Sequence, residues 1–150
     1  ERMLPPDQWA LSRCAALVEK CLASYEKFEF WQVTYAIHNF CVVEMSSFYL
    51  DVIKDRLYCD GPDSLSRRSA QTAIYTVLNA ITLLLAPVLS FTADEIWQAM
   101  PHTAGDDPRN VCLNDLPNAD PAWVLTSEEE ARWELLLKVR GDVNKALELK

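Results

Sequence analysis

The stretch Phe40–Tyr58, FCVVEMSSFYLDVIKDRLY, decides the fold of this chain. Its large apolar and aromatic residues recur at steps of three and four, and neither Gly nor Pro interrupts them. This is the spacing of a helix that buries one face. We therefore predict a long central helix whose apolar face carries Phe40, Phe48, Tyr49, Val52, Ile53 and Leu57.

Capping residues and periodicity on either side of this stretch predict further helices. Asp7 follows two prolines and is expected to be the N-cap of a first helix. Pro87 should end or kink a third helix. The segments Thr92–Glu95 and Ser127–Glu130 each have the form of a capping box. The predicted helices span about 7–25, 29–58, 65–86, 93–100 and 128–150.

These helices imply an all-α fold, and we expect residues 1–150 to form a single domain. The segment Pro101–Leu125 holds four prolines without helical periodicity, so it should be an extended loop with a short strand at 111–113. The fold class is thus a helical bundle of about five helices with one long proline-containing loop. The last helix reaches Lys150 without a cap, which suggests a fragment of a longer chain. Its predicted apolar face carries Ala131, Leu135, Val139, Val143 and Ala146.

Charge and hydropathy exclude some classes of protein. A net charge of -8 argues against nonspecific nucleic-acid binding over the whole surface. The acids are concentrated in Pro87–Ser127, which holds six acids and one base. The uncharged stretch Ser69–Ala93 is long enough to cross a bilayer. A polar stripe and Pro87 favour a buried bundle helix instead of a membrane helix, and the stripe consists of Thr72, Thr76, Asn79 and Thr82.

Residues for catalysis or metal binding are scarce. Five cysteines form no C-x-x-C pair, which predicts a reducing, cytoplasmic location and no zinc site. His38 and His102 lack the Glu-x-x-His spacing of a di-metal bundle. No nucleophile is paired with a base, and three glycines leave no glycine-rich phosphate loop. We therefore expect no catalytic residue, no metal and no cofactor in this chain.

A basic cluster stands out in this acidic sequence. Cations at a helix N-terminus oppose the macrodipole at a cost of about 0.3–1 kcal/mol, so a sequence selected only for stability would place acids there. The cluster could hold a phosphate-bearing partner. Equally, its arginines could pair with Asp55, Asp60 or Asp63. The candidate residues are Lys54, Arg56, Arg67, Arg68 and Gln71.

Trp9 and Arg13 form a second candidate pair, one turn apart on the first helix. The indole could stack on a base while the guanidinium holds the base edge or a phosphate. The alternative is that Trp9 covers the end of the core and Arg13 lies in solvent.

Several long runs occur in the order known from one family. Together they resemble the anticodon-binding helical domain of the bacterial isoleucyl type of class I aminoacyl-tRNA synthetase. The likeness fades between Thr103 and Thr126, and family members often have His where this chain has Cys112. The runs are Asp7–Arg13 (DQWALSR), Met45–Tyr58 (MSSFYLDVIKDRLY), Arg67–Thr72 (RRSAQT), Leu85–Trp97 (LAPVLSFTADEIW) and Val139–Glu148 (VRGDVNKALE).

The resemblance implies an all-α bundle that grips the anticodon stem and loop of an isoleucine tRNA. The parent enzyme would join isoleucine to this tRNA using ATP and Mg²⁺, with any structural zinc outside this chain. Expected partners are the tRNA and the remaining domains of the same chain, with the protein a monomer and no membrane involved. A valyl- or leucyl-tRNA synthetase and a helical protein–protein adaptor remain alternatives. The implied tRNA-binding residues are Trp9, Arg13, Lys54, Arg56, Arg67, Arg68 and Gln71.

Overall fold

Five helical elements build the fold in the computed structural model, which describes residues 3–149. No strand occurs among these residues, so the predicted all-α class is confirmed. Helix α2 runs without a break through three stretches, Phe30–Asn39, Phe40–Tyr49 and Leu50–Cys59. The others are α1 (Pro5–Glu26), α3 (Leu65–Leu85), α4 (Ser90–Ala99) and α5 (Ser127–Glu148).

The middle stretch of α2, Phe40–Tyr49, is a π-helix. Its hydrogen bonds reach one residue further along the chain than those of an α-helix. The predicted apolar face holds for most of its members, but Val52 is exposed and Leu57 is only half-buried. Both residues lie in the α-helical stretch that follows, where Ile53 faces the core and Val52 points about 100° away around the helix.

Helices α1, α2 and α3 surround the main core. On α1, Leu11, Cys14, Val18 and Cys21 are buried. Burial raises the pKa of the Cys14 thiol to about 12 and that of Cys21 to about 11, as expected for thiols that serve as core residues. The α3 side contributes mostly small residues, namely Ala70, Ala73, Val77 and Ala80.

The polar stripe expected on α3 does not stay at the surface. Thr72 is exposed, whereas Thr82 is fully buried and donates its hydroxyl to the Leu78 carbonyl at 2.8 Å. Bonding back to the preceding turn satisfies the hydroxyl and lets this part of the stripe face the core. No helix within residues 3–149 has the length and apolar character that crossing a membrane requires.

The long loop after α4 contains two 3₁₀ turns, Val111–Leu113 and Pro121–Trp123. The strand predicted at 111–113 is therefore wrong. Val111 is buried there, and its backbone N–H donates to the Asp94 carboxylate at 2.9 Å. The Trp97 indole N–H donates to the Asp107 carbonyl at 3.1 Å. These two hydrogen bonds attach the loop to α4. They satisfy backbone groups of the loop without the backbone pairing that a strand would need.

Several predicted caps are misplaced. Helix α1 begins at Pro5 with Leu4 as its N-cap, so Asp7 lies within the first turn and is not the cap. Helix α4 begins at Ser90, upstream of the predicted box at Thr92–Glu95, and has no side-chain cap. A complete capping box does start α5, but between Thr126 and Glu129, one residue earlier than expected.

The predicted inner face of α5 is also wrong. Leu135, Val139 and Val143 are each more than half exposed, and Ala131 and Ala146 are exposed as well. The residues that pack on the main core are Trp133 and Leu137. The predicted helix end at Lys150 lies outside the described residues.

Candidate nucleic-acid interface

Asp7 is the centre of a buried polar junction that joins α1, α2 and α3. Its carboxylate is fully buried and accepts hydrogen bonds from Arg56 Nη2 at 2.7 Å and Nη1 at 3.1 Å. The Tyr49 hydroxyl donates to it at 2.8 Å, and the Ser69 hydroxyl donates to its other oxygen. Burial, together with the bond to Asp7, raises the pKa of Tyr49. Both oxygens of the Asp7 carboxylate therefore accept hydrogen bonds, and its charge is paired with that of Arg56.

Arg56 belongs to this junction and is not free for a ligand. Its side chain is 16% exposed, and Nε donates to the Ser66 hydroxyl at 2.9 Å while Nη2 donates to the Ser66 carbonyl at 2.6 Å. The expectation that Arg56 contacts tRNA is not supported by this geometry. The reason is that both terminal nitrogens of Arg56 donate hydrogen bonds to the buried carboxylate of Asp7, a residue far away in the sequence.

Arg67 has a mixed role. It is half-buried, and Nη1 donates to the Asp60 backbone carbonyl at 3.1 Å. Its backbone N–H donates to the Ser64 hydroxyl at 3.1 Å, which makes Ser64 the N-cap of α3. Its Nε is buried with no hydrogen-bond partner within the described residues. The arginine thus bonds to Asp60, but through the backbone oxygen and not through the carboxylate.

Three other members of the predicted cluster are open to solvent. Lys54, Arg68 and Gln71 are exposed, and in the described part of the chain their side chains form no hydrogen bond or ion pair. Arg56 holds the end of α2 against the start of α3 through Ser66. This contact places the end of α2 that carries Lys54 beside the start of α3 that carries Arg68 and Gln71. We call Lys54, Arg67, Arg68 and Gln71 the basic patch.

Trp9 does not offer a free stacking face. Its side chain is 5% exposed and packs edge-on against Phe48, with ring centroids 5.0 Å apart and planes at 89°. The Trp133 ring of α5 lies 5.8 Å away on a tilted plane. The expected base stacking by Trp9 is therefore not supported, because α2 and α5 enclose the indole as part of the core.

Arg13 lies on the surface in a bidentate pair. Its Nε donates to Glu44 Oε2 at 2.6 Å and its Nη2 donates to Oε1 at 2.9 Å. The hydrogen bond to Glu44 raises the pKa of Arg13. The side chain is 48% exposed, and its Nη1 forms no bond within residues 3–149. Arg13 can therefore still offer one edge of its guanidinium to an anion.

A shallow groove of about 170 Å³ extends from this pair between α1 and α2. Lys20 and Tyr35 line it together with Arg13 and Glu44. Sequence analysis did not single out Tyr35 or its neighbour Trp31, which are 63% and 70% exposed. The sequence did show that these two aromatic residues are spaced i, i+4 and so share one face of the helix. Such a face normally packs in the core, and for that reason the spacing did not suggest an exposed site.

The described residues contain no group of three or more His, Cys, Asp or Glu side chains placed to hold a metal ion. His38 is exposed on α2, and His102 packs against Trp97 with ring centroids 4.7 Å apart. The His102 Nδ1 is buried and has no hydrogen-bond partner among residues 3–149.

Comparison with known proteins agrees with the resemblance inferred from sequence. The family model described as the anticodon-binding domain of tRNA ligase matches residues 7–150. Isoleucine–tRNA ligase of Coxiella burnetii (strain Dugway 5J108-111) is 49% identical over 99% of this chain and 16% of that protein. The enzymes of the same name from Syntrophotalea carbinolica and Desulfitobacterium hafniense (strain DCB-2) are 50% and 46% identical over 99% and 95% of this chain.

The aligned region covers only 16% and 15% of the Syntrophotalea and Desulfitobacterium enzymes. The chain therefore spans a small part of the relatives that it matches, and that part is their anticodon-binding region. Since the family model covers nearly all of its residues, this chain belongs to the family of anticodon-binding domains of tRNA ligases.

Proposed function

We propose that this chain binds the anticodon stem and loop of an isoleucine tRNA as part of a longer isoleucine–tRNA ligase. One observation carries the proposal: nearly the whole chain aligns at 49% identity with an isoleucine–tRNA ligase, in the region matched by an anticodon-binding family model. The valyl and leucyl alternatives have no such support among the relatives described above.

In this proposal the basic patch contacts tRNA phosphates. Arg68 and Lys54 present unpaired cations, and Gln71 adds an amide one turn further along α3. The acidic Pro87–Ser127 segment reaches α3 where the Tyr75 hydroxyl donates to the Pro101 carbonyl, and salt screening over about 8–10 Å at physiological ionic strength limits its repulsion at Arg68 and Lys54. Arg13 adds one further guanidinium edge. Arg56 and Trp9 act indirectly, since they hold the helices that carry these side chains.

The chemistry of aminoacylation belongs to other domains of the parent chain in this proposal. ATP, Mg²⁺ and any structural zinc would be bound there, and the remaining domains are the covalent partners of this one. We expect the parent enzyme to work in the cytoplasm, where all five cysteines would stay reduced as they are in this structure. The purified chain should be a monomer and show no isoleucine-dependent pyrophosphate exchange.

The decisive experiment titrates this chain against two labelled RNA hairpins, the anticodon stem–loops of an isoleucine tRNA and a valine tRNA. Tighter binding of the isoleucine stem–loop, with an affinity that falls as salt is raised, is the expected result. Equal or tighter binding of the valine hairpin would reassign the parent enzyme. Absence of salt-dependent binding to either hairpin would favour the protein–protein adaptor.

A matched pair of variants separates the basic patch from general charge. Arg68→Ala removes an unpaired cation of the patch, whereas Arg132→Ala removes an exposed arginine of α5 that pairs with Glu128. We expect weaker RNA binding only for the first variant, since both lose one positive charge but only one lies in the patch.

A further inference from the structure

Several cations and two aromatic side chains lie at or near the groove between α1 and α2. On the α1 side, cations recur every seven residues at Arg13, Lys20 and Lys27. Seven residues are close to two helical turns, so these positions share one side, with about 10 Å between successive members. On the α2 side, Trp31 and Tyr35 lie one turn apart. Of these residues, Arg13, Lys20 and Tyr35 line the groove, whereas Lys27 follows the end of α1 and Trp31 lies one turn from Tyr35 towards the corner between the two helices.

The two rings serve no evident structural purpose. Trp31 is 70% exposed and Tyr35 is 63% exposed, and neither contacts another aromatic ring within residues 3–149. The Trp31 indole N–H and the Tyr35 hydroxyl form no hydrogen bond in this same part of the chain. The corner between α1 and α2 is instead closed by Phe30, which packs on Tyr25 and Phe28. Hence Trp31 and Tyr35 are not needed to close the corner.

The charge of the groove favours an anion. Arg13, Lys20 and Glu44 are the charged side chains that line it, and the Glu44 carboxylate is already occupied by Arg13. Glu19 and Glu26 are exposed, but each precedes one of the two α1 lysines by one residue and so points about 100° away around the helix. The side chains that line the groove therefore carry two positive charges and one negative charge in a chain whose net charge is -8, while Glu130 and Glu134 of α5 act on its Arg13 end.

Exposed rings beside a row of cations are the combination by which proteins bind unpaired nucleotides. Bases stack on the rings whatever their identity, and the cations follow the phosphates. A duplex has no free base faces to offer, and an apolar peptide segment would not favour a lysine and the Arg13–Glu44 ion pair in the groove.

We propose that the groove between α1 and α2 binds unpaired nucleotides of an RNA loop, with bases stacked on Trp31 and Tyr35 and phosphates held by Lys20 and Lys27. This inference rests on the proposed function, because the loop in question is that of the bound tRNA. The groove is separate from the basic patch. None of the basic-patch residues lines it, and Lys20 is thirteen residues from Asp7, about 20 Å along α1, whereas Arg13 at the other end of the groove is six residues from Asp7, about 9 Å.

The test measures binding of this chain to two RNA hairpins with the same stem, one closed by the anticodon loop and the other by a minimal loop. Trp31→Ala combined with Tyr35→Ala should weaken binding of the anticodon hairpin by about tenfold or more and leave the other hairpin unaffected. The slope of log affinity against log salt should not change. Trp31→Phe with Tyr35→Phe keeps two stacking rings and should restore most of the affinity.

Phe91→Ala is the matched control, because Phe91 is an aromatic residue of α4 that is 95% exposed. It should bind both hairpins as the unmodified chain does. Lys20→Ala should lower the salt slope by about 0.7, the value for one phosphate contact on a single strand. Circular dichroism on each variant checks that the helices remain folded.

Each other outcome overturns the inference. Unchanged affinity in the double alanine variant means that the rings do not stack on RNA, while the proposed function survives. Equal losses for both hairpins mean that the rings contact the stem or shape the protein. If self-association of the chain protects its fluorescence from a quencher, and this protection is lost in Trp31→Phe, the aromatic pair belongs to a protein interface. If the unmodified chain binds neither hairpin, the proposed function fails along with this inference.

Discussion

The junction around Asp7 and the helix α5 use the same kinds of residue in opposite ways. At the junction, a carboxylate and a guanidinium are taken out of water and bonded to each other and to Tyr49 and Ser69. On α5 no residue is fully buried, and several large apolar side chains face solvent. The comparison shows that residue type alone does not determine which side chains of this molecule are buried. Burial depends on the contacts that each side chain makes with the other helices of the bundle.

The two regions should also differ in how strongly they are attached. The junction connects three helices through bonds between residues more than forty positions apart. Helix α5 is attached through half-buried Trp133 and Leu137 and through Arg140, whose guanidinium lies 5.3 Å from the centre of the Phe48 ring and donates to the Ser47 carbonyl at 3.1 Å. Partial burial implies a smaller stabilising contribution for α5.

The largest effect is expected from breaking the junction. Asp7→Ala leaves the Arg56 guanidinium buried without its counter-charge, which should reduce the free energy of unfolding by about 3–5 kcal/mol. Urea denaturation followed by circular dichroism measures this loss. As a control, Glu128→Gln breaks an exposed i, i+4 pair with Arg132 and should cost no more than about 0.5 kcal/mol.

A second variant distinguishes the charge pair from simple packing. Asp7→Leu combined with Arg56→Met replaces both charges by apolar groups, so it should be clearly more stable than Asp7→Ala. Equal instability of the two proteins would mean that the junction matters through its shape and its bonds to Tyr49 and Ser69 rather than through the ion pair.

An intermediate effect is expected from releasing α5. Trp133→Ala removes the ring that packs against Trp9 and Phe48, and because Trp133 is only half-buried the loss should be about 2 kcal/mol, less than for a fully buried tryptophan. Hydrogen exchange should accelerate across α5 while α1 stays protected. Leu135→Ala, at a 64% exposed position of the same helix, should change stability by less than about 0.5 kcal/mol. Uniform acceleration in α1 and α5 would show that α5 is an integral part of the core.

A smaller effect is expected at Arg13. Glu44→Gln removes the charge that holds the guanidinium at the surface, and pairs of this exposure contribute about 0–1 kcal/mol. The stability loss should shrink as salt is added. A loss above about 2 kcal/mol would place the Arg13–Glu44 pair in the same class as the junction and remove the distinction between buried and surface arginines.

Much of the fold was predictable because local rules determine it. Apolar spacing located the helices, and Phe40, Phe48, Tyr49 and Ile53 are buried as expected. The errors came from choices that only tertiary contacts settle. Helix α5 carries two apolar stripes, and periodicity does not say that the one with Trp133 and Leu137 packs inward while the one with Leu135 does not.

The candidate site was harder to predict than the fold. The sequence identified a group of cations but not their partners, so Arg56 and Arg68 looked equivalent. In the structure Arg56 is bonded to Asp7, which is 49 residues away, whereas Arg68 is exposed. A contact of that sequence separation leaves no local pattern. The same reason explains Trp9, whose enclosure depends on Phe48 and Trp133 from two other helices.

The smallest effect on stability is expected for Arg68→Ala, and for that reason it separates binding from folding most clearly. Arg68 is exposed and its side chain is unpaired within residues 3–149, so its removal should leave the free energy of unfolding within about 0.5 kcal/mol of the unmodified chain. If Arg68 contacts one phosphate of a looped RNA, the slope of log affinity against log salt should fall by about 0.7. Cognate and noncognate stem–loops should be weakened alike, because phosphates carry no sequence information.

Arg67→Ala is the neighbouring comparison for this prediction. Arg67 donates to the Asp60 carbonyl and is half-buried, so its loss should cost about 1 kcal/mol of stability in addition to any change in the salt slope. The two adjacent arginines would then differ in role. Arg67 would contribute to both stability and RNA binding, whereas Arg68 would contribute to RNA binding alone. If Arg68→Ala destabilises the chain as much as Arg67→Ala without altering the salt slope, both arginines stabilise the turn between α2 and α3, and the phosphate contacts must lie elsewhere on the bundle.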